Sequence, residues 1–460
     1  MQSSRADTTT LSFPALRNDL HGTVIAPGDP DYEAARTIFY AGFDASPAVI
    51  IRPVDATEVS YVVSLAQKTG LELAIRSGGH SSAGHGLTEG GIVLDLADMR
   101  GLEIDVDAMT AWAETGLTTG EYTVAAAEHG LATGFGDTGS VGIGGITLGG
   151  GVGLLVRKHG LTIDHLLAAE MVTADGQILR VDDETNPDLF WAIRGGGGNF
   201  GVATRFEFRL HEVDTIVGGM LVLPATAEVI ASFVAEAEAA ADELSTIANV
   251  MTAPPMPFIP TEYHGKPVVF GLLAYDGAVD AGERAVAAFR SLATPIVDMV
   301  GPIKYPELFM NEQEEFHPMG VGHNMFMEGV GVDEAEIILE HLEASSAMMA
   351  VTQLRVLGGA VARVPVDATA FAHRNKRIMT NVAALYADPE QASVQEHWVE
   401  KLASALSQGD DDAYVNFLDD GRAQGVATPY PEPTWDRLRQ VKSRYDPDNL
   451  FRRNHNIPPA

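Results

Sequence analysis

The segment RSGGHSSAGHG, residues 76–86, gathers one guanidinium, two imidazoles and three hydroxyls among four glycines. Gly78, Gly79, Gly84 and Gly86 let the backbone approach a bound group closely and take positive φ without steric penalty. Successive exposed N–H groups in such a turn form a nest for an anion. With Arg76 and the hydroxyls of Ser77, Ser81 and Ser82 alongside, the loop suits a pyrophosphate better than it suits a plain surface turn. His80 and His85 make a weak metal pair, because no nearby carboxylate completes a ligand set. No metal site is expected.

Glycine is dense again at 134–153 and 195–201. Gly196, Gly198 and Gly201 satisfy GxGxxG, but that motif must follow a strand and open a helix to hold a dinucleotide. Here it follows the helix-like PDLFWAIR (187–194) and opens a strand, so the order is reversed. VGIGGITLGGGVG (141–153) lacks the fingerprint as well. GxxxxGK[ST], HEXXH and GxSxG are absent, which leaves a P-loop ATPase, a zinc protease and a serine hydrolase without an anchor. With no cysteine, disulfides, thiolate catalysis and iron–sulfur clusters are excluded.

The elements that must position these loops follow from periodicity. AVIIR (48–52) suits a buried strand, and Val59, Val62, Val63 and Ala66 recur at helical spacing, with Asp55 or Thr57 as cap and Gly70 as stop. LELAIR, GGIVLDL and MTAWAETG read as strands, and a helix is expected near 118–129, ended by Gly130. VATRFEFRL puts Val202, Thr204, Phe206, Phe208 and Leu210 on one strand face. The glycine clusters end near Val213, where a domain boundary is expected. Beyond it, helices over 227–241, 281–292 and 391–406 alternate with strands such as VVFGLLAYDG and AYVNFLDD. From Pro433 a helix runs through Lys442 into an irregular tail suited to lie over another domain.

The chain has 460 residues, 46% hydrophobic and 20% charged, enough for two or three globular domains. Its 30 Lys and Arg stand against 63 Asp and Glu, a net charge of −33. Such a surface repels nucleic acid and anionic lipid; solubility or a salt-adapted host accounts for it. The N-terminus has no basic region followed by an apolar one, so a cytoplasmic location is expected.

Taken in order, RSGGHSSAGHG, GGIVLDL, VGIGGITLGGGVG, RKHGLTIDHL, PDLFWAIRGGGGNFGV and YDPDNLF…NHNI resemble the vanillyl-alcohol-oxidase/PCMH-type FAD proteins. Within them they are similar to the berberine-bridge-enzyme-like oxidases. The resemblance covers nearly the whole chain. It implies an α+β fold: a two-subdomain PCMH-type FAD domain (1–213, core about 44–213), a substrate domain with an antiparallel sheet covered by helices (214–430), and a C-terminal return (431–460). It further implies that residues 76–86 cradle the FAD pyrophosphate and that His80 bonds to the flavin 8α carbon. A second, cysteine bond is impossible here, because Thr138 stands at the matching position.

By the same resemblance Val141, Gly142, Gly144 and Gly145 lie along the flavin, followed by Gly149, Gly150, Gly151 and Gly153. Asp164, Gly201, Val202, Asn454 and Asn456 complete the expected cofactor contacts. A valine at 141 favours O₂ as acceptor. His165 departs from the family's asparagine, and either fills its role or supplies a titrating group near the flavin. The family's YxNY strand reads Tyr414-Val-Asn416-Phe417, which puts a tyrosinate base in doubt unless Tyr414 serves. Tyr414, Asn416, His165 and His373 are the catalytic candidates, and His323 and Tyr386 are candidate pocket residues. The implied activity is an FAD oxidase that takes hydride from a small alcohol, amine or natural-product intermediate and yields hydrogen peroxide. A flavin dehydrogenase with another acceptor and a redox-inactive flavin-binding protein are the alternatives.

Overall fold

The computed structural model describes residues 11–309, 317–409, 412–419 and 429–460. Strands β1 (Thr23–Ile25), β2 (Val49–Arg52), β3 (Leu73–Arg76) and β4 (Ile92–Asp95) form a sheet in the order β1-β2-β4-β3. β4 runs parallel to β2 and β3, and helix α1 (Ala56–Thr69) supplies the crossover. Asp55, not Thr57, caps α1, accepting from the Glu58 N–H at 2.9 Å, and Gly70 ends it at φ +68°. Val59, Val62, Val63 and Ala66 are wholly buried in the core they share with β2 and β4.

A second sheet holds β5 (Leu102–Asp105), β6 (Thr110–Glu114), β7 (Leu166–Val172), β8 (Ile178–Asp182) and β9 (Val202–Arg209), in the order β5-β6-β9-β7-β8. Along β9 the expected face, Val202, Thr204, Phe206 and Phe208, is buried while Arg209 is exposed. Helices α2 (Thr119–Ala127), α3 (Ile143–Gly149) and α4 (Pro187–Ile193) pack here. Thr118 and Glu121 make a reciprocal capping box on α2. Because α4 precedes Gly196 and β9 follows Gly201, the glycine turn runs helix to strand.

The third sheet begins at Thr215. Its six long strands are β10 (Thr215–Pro224), β11 (Leu244–Thr252), β12 (Pro267–Tyr275), β13 (Met319–Met327), β14 (Met349–Val356) and β15 (Ile378–Tyr386). They pair antiparallel in the order β10-β12-β11-β14-β15-β13, with two short strands on the β10 edge. Alternation sends one residue set, including Val250, Leu273, Leu354 and Val382, under helices α5 (Ala227–Ala239), α6 (Val279–Arg290), α7 (Val332–Glu343) and α8 (Ala392–Leu406). The other set faces the first two sheets. The architecture is α+β, as expected.

AYVNFLDD is not a strand. Val415–Phe417 form a single 3₁₀ turn, the Tyr414 N–H donates to Asn324 Oδ1, and the Phe417 N–H to the Tyr414 carbonyl at 3.0 Å. A side chain and a local turn have taken the amides a strand partner would need; Asp420 lies outside the described residues. Helix α9 (Glu432–Tyr445) carries the buried Lys442, whose ammonium donates to Asp446 (2.6 Å) and to the carbonyls of Asn199 (2.7 Å) and Phe451 (2.9 Å). That node fastens the tail to the glycine turn before β9. Among the described residues no helix is long and apolar enough to cross a membrane, and no acidic or histidine cluster could hold a metal.

Candidate functional site

The loop after β3 is pinned from beneath. Arg76 donates to Asp95 at the end of β4 (2.7 Å) and to the Ala35 carbonyl (2.6 Å), and Asp95 also receives Arg52 at 2.8 Å. The pairing with Asp95 anchors the loop, while Arg76 still lines the hollow beside it and its buried Nη1 has no hydrogen-bond partner. Ser77 Oγ donates to the Thr115 carbonyl (2.6 Å) and accepts from the Gly144 N–H (3.2 Å). A Cβ on Gly78 would stand 2.2 Å from the Gly142 nitrogen, and one on Gly142 equally close to Gly78. Two glycine segments 64 positions apart in number are thereby zipped backbone to backbone.

His80 emerges from this zip. Its Nε2 is 2.9 Å from Ser140 Oγ and its ring stacks on Phe39 with centroids 4.3 Å apart. Burial lowers its pKa to about 4, which keeps the imidazole neutral. His85 meets His455 of the tail edge to face at 4.7 Å, and burial, followed by the neighbouring His455 and Arg453, lowers it to about 3.

A cavity of about 680 Å³ runs between the first two sheets and under the third. The loop lines it with Arg76, Ser77, Gly78, Gly79, His80 and Ser81, then His85 and Gly86. Thr138, Val141, Gly142, Gly144 and Gly145 follow, and Gly201, Val202 and Asn454 form the far wall. Tyr414 and Asn416 line it from the 3₁₀ turn. A hollow of about 380 Å³ lies against the same stretch, Arg76 to His80, with Ala34, Thr37 and Ala97.

Other expected contacts lie off this wall, each for a packing reason. A Cβ on Gly149 would strike Asn416, one on Gly151 would strike Thr162, and one on Gly153 the Phe135 carbonyl. Gly150, at φ +138°, stands against the Phe371 and Tyr414 rings, and Gly84 against Phe43. Asp164 is clasped by Arg374 through two 2.8 Å bonds. Asn456 is exposed, and its neighbours Asn454 and His455 line the cavity instead.

Two catalytic candidates also leave the site. His165 sits in a buried cluster, its Nδ1 2.9 Å from His211 Nε2, with His159 bonded to Asp276 at 2.6 Å. His373 bonds the Pro429 carbonyl at 2.7 Å and packs on Phe326 and Phe371. His323, opposite Val382, and Tyr386 belong to the helix-covered face of the third sheet.

Tyr414 stays at the cavity with its hydroxyl accepting from the Gly151 N–H (2.8 Å) and from Asn416 Nδ2 (2.9 Å). Burial raises its pKa above that of an ordinary phenol, although both donors pull the other way. Residue types alone did not point to Phe39, Asp137, Asn249, Gln353, Arg355 or Asn381, all of which line the cavity. Only Asp137, beside Thr138, had a neighbour that marked it.

Family models match residues 47–182 as an FAD-binding domain and residues 413–458 as berberine and berberine-like. The chain is 30% identical to (R)-6-hydroxynicotine oxidase of Paenarthrobacter nicotinovorans, over 96% of this chain and 97% of that one. It belongs to the berberine-bridge-enzyme-like FAD-linked oxidoreductases. The crystal structure of 6-hydroxy-D-nicotine oxidase from Arthrobacter nicotinovorans superposes on this family member with a TM-score of 0.85, at 28% identity over 96% and 98% of the two chains. The grass-pollen allergen Phl p 4, with glucose dehydrogenase activity, shares the fold at 21% identity and a TM-score of 0.82, covering 95% and 97%.

The cavity of this FAD-linked oxidoreductase fits its family's cofactor. Leu73, Ile75 and Leu96 offer apolar wall, and the space where a Cβ would stand on Gly145 or Gly198 is open. Asn454 adds a buried Oδ1 without a hydrogen-bond partner.

Proposed function

We propose that this oxidoreductase is an oxidase whose FAD is held by one covalent bond, from His80. The reading assigns 1–213 with 431–460 to the cofactor and 214–430 to the substrate. The observation that carries it is the state and place of one imidazole: half-buried, neutral, and opening on the cavity between the 76–86 loop and the turn bearing Thr138 and Val141. A neutral ring nitrogen is what bond formation at an electrophilic methyl edge requires.

The chemistry such a cofactor supplies is two-electron oxidation of a substrate C–H, with O₂ as acceptor and hydrogen peroxide as product. The chain's own part is to position. Gly78, Gly79 and Gly142 bring backbone to the cofactor, Ser140 orients His80, and the third sheet closes over the top. Burial raises the Tyr414 pKa against the pull of its two N–H donors, which disfavours a tyrosinate base, and those donors fix its hydroxyl as part of the wall. An alcohol, an amine or a natural-product intermediate remains the substrate class at this level. Val141 supports O₂ over another acceptor through its modest bulk.

Acid precipitation of the wild type and His80→Ala tests the reading. Flavin colour is expected to stay with the wild-type pellet and to leave with the supernatant of the variant. Colour released equally from both would overturn the covalent bond, and aerobic turnover without peroxide would overturn the oxidase.

A further inference from the structure

We propose that Asn249, Gln353 and Asn381 form the polar edge of the substrate site and select an uncharged, flat molecule. That molecule carries hydroxyl, carbonyl or ring-nitrogen groups along one side. The inference rests on the reading of the cavity as an FAD site, and names the substrate class that its ceiling would admit.

The three amides come from three adjacent strands in one register. Asn249 of β11 stands directly opposite Gln353 of β14, and Gln353 directly opposite Asn381 of β15. Residues so paired share a face, with Cβ atoms about 4.5–5.5 Å apart. All three line the cavity. The next row along the strands is Met251, Val351, Ala383 and Gly322, small or apolar at every place. A polar stripe thus borders an apolar one, and the small residues at its end leave room for a ring.

The orientation of the amides follows from the one charged side chain that the sheet turns to the cavity. Arg355 Nε donates to Gln353 Oε1 at 2.8 Å, and a guanidinium can only donate, so the Gln353 oxygen must lie on that side. Gln353 Nε2 therefore faces Asn249 Oδ1 at 2.9 Å, and Asn249 Nδ2 faces the Phe270 carbonyl at 3.3 Å. Each amide nitrogen has a second N–H that this relay leaves over. Asn381 Oδ1 is buried with no hydrogen-bond partner, while Asn324, opposite it on β13, is engaged by the Tyr414 N–H and the Thr380 carbonyl. Donors and an acceptor therefore stand side by side along one edge.

Charge decides the class. Arg355 is matched by Asp137 at 2.9 Å and bonded to the Val152 carbonyl at 3.0 Å. Neither member of that pair is left for a ligand: a carboxylate would meet an already neutralised guanidinium, and an ammonium an already neutralised carboxylate. Amides bind uncharged donors and acceptors without such competition. Met251, Met349 and Phe270 beside the row supply soft and aromatic surface for a flat body.

Calorimetric titration of the flavin-loaded protein at neutral pH tests this with 3-hydroxyacetophenone, 3-hydroxybenzylamine and 3-hydroxybenzoate, which carry both groups along one edge and differ chiefly in charge. The ketone is expected to bind at least about tenfold more tightly than either ion, and Asn381→Leu to weaken it by about tenfold, as loss of one well-placed hydrogen bond does. Asn381→Asp should reverse the order in favour of the amine, a gain that misfolding cannot imitate. Wild type that prefers either ion, gives no heat with the ketone, or is indifferent to both substitutions overturns the proposal. Visible flavin absorbance of the same samples separates the two readings: a chain that never takes up flavin refutes the cofactor assignment, whereas coloured protein with the wrong charge preference refutes only the amide row.

Discussion

The two walls of the cavity recognise by opposite means. On the cofactor side the surface is backbone, exposed by glycines that let residues 76–80 and 141–145 touch. On the other side it is side chains, one from each of several strands, turned inward by the two-residue period of the sheet. Backbone recognition needs contiguous small residues and leaves a motif. Side-chain recognition by a sheet draws on positions as distant as 249 and 381, and leaves none.

The largest effect is expected where the walls are tied together. Asp137 of the glycine wall holds Arg355 of the sheet wall, with Arg355 only 5% exposed. Asp137→Ala strands that buried cation and should cost about 3–5 kcal/mol, whereas Asp137→Ala with Arg355→Met should recover most of it. Chemical denaturation of both variants checks this; equal losses would mean that the pair does not join the walls.

Next is the zip itself. Gly142→Ala drives a methyl into the Gly78 backbone and should destabilise by about 1–3 kcal/mol. It should also lower the flavin-to-protein ratio, while Gly329→Ala, off the cavity and meeting nothing, leaves both unchanged. If the two variants behave alike in absorbance and melting, backbone contact is not what makes this wall.

The seam between the walls should respond to acid. His211 is lowered to about 4 by burial, with His159, Arg209 and Lys158 adding to the shift and Asp276 opposing it. His165 is lowered further, again by burial first. The unfolded chain, with histidines near 6.5, then binds more protons than the folded one between pH 6.5 and 4. Stability is therefore full above that window and falls as pH drops through it, by up to about 1.4 kcal/mol per pH unit for each such histidine. Melting temperature against pH should be less steep in His211→Asn; an unchanged slope removes His211 from the account.

The smallest effect on stability, and one confined to the reaction, is expected at Val141. Val141→Ile adds one methylene to the cavity wall and should lower the rate of reoxidation by O₂ several-fold, with substrate reduction of the flavin little changed. Stopped-flow measurement of the two half-reactions distinguishes them.

Sequence reading succeeded where the physics is local. Asp55 and Gly70 bound a helix, β9 alternates, and the 76–86 loop lies on the cavity as its glycines and serines led one to expect. It failed where a glycine or histidine serves packing. Gly149 makes room for Asn416, which lies far along the chain, and His165 joins His211 and His159 in a buried cluster. Tyr414 and Asn416 were found by type but assigned to a strand, because nothing nearby reveals that Asn324 takes the Tyr414 amide. The amides of the ceiling were illegible: an isolated asparagine in a strand reads as a surface residue until its neighbours in register are known.

The buried ammonium of Lys442 has a consequence for timing. It clamps Asn199 and Phe451 together, and Phe451, Arg453, Asn454 and His455 close one side of the chamber. That side of the chamber therefore forms only once residues 451–455 have folded back onto the glycine turn at 195–201.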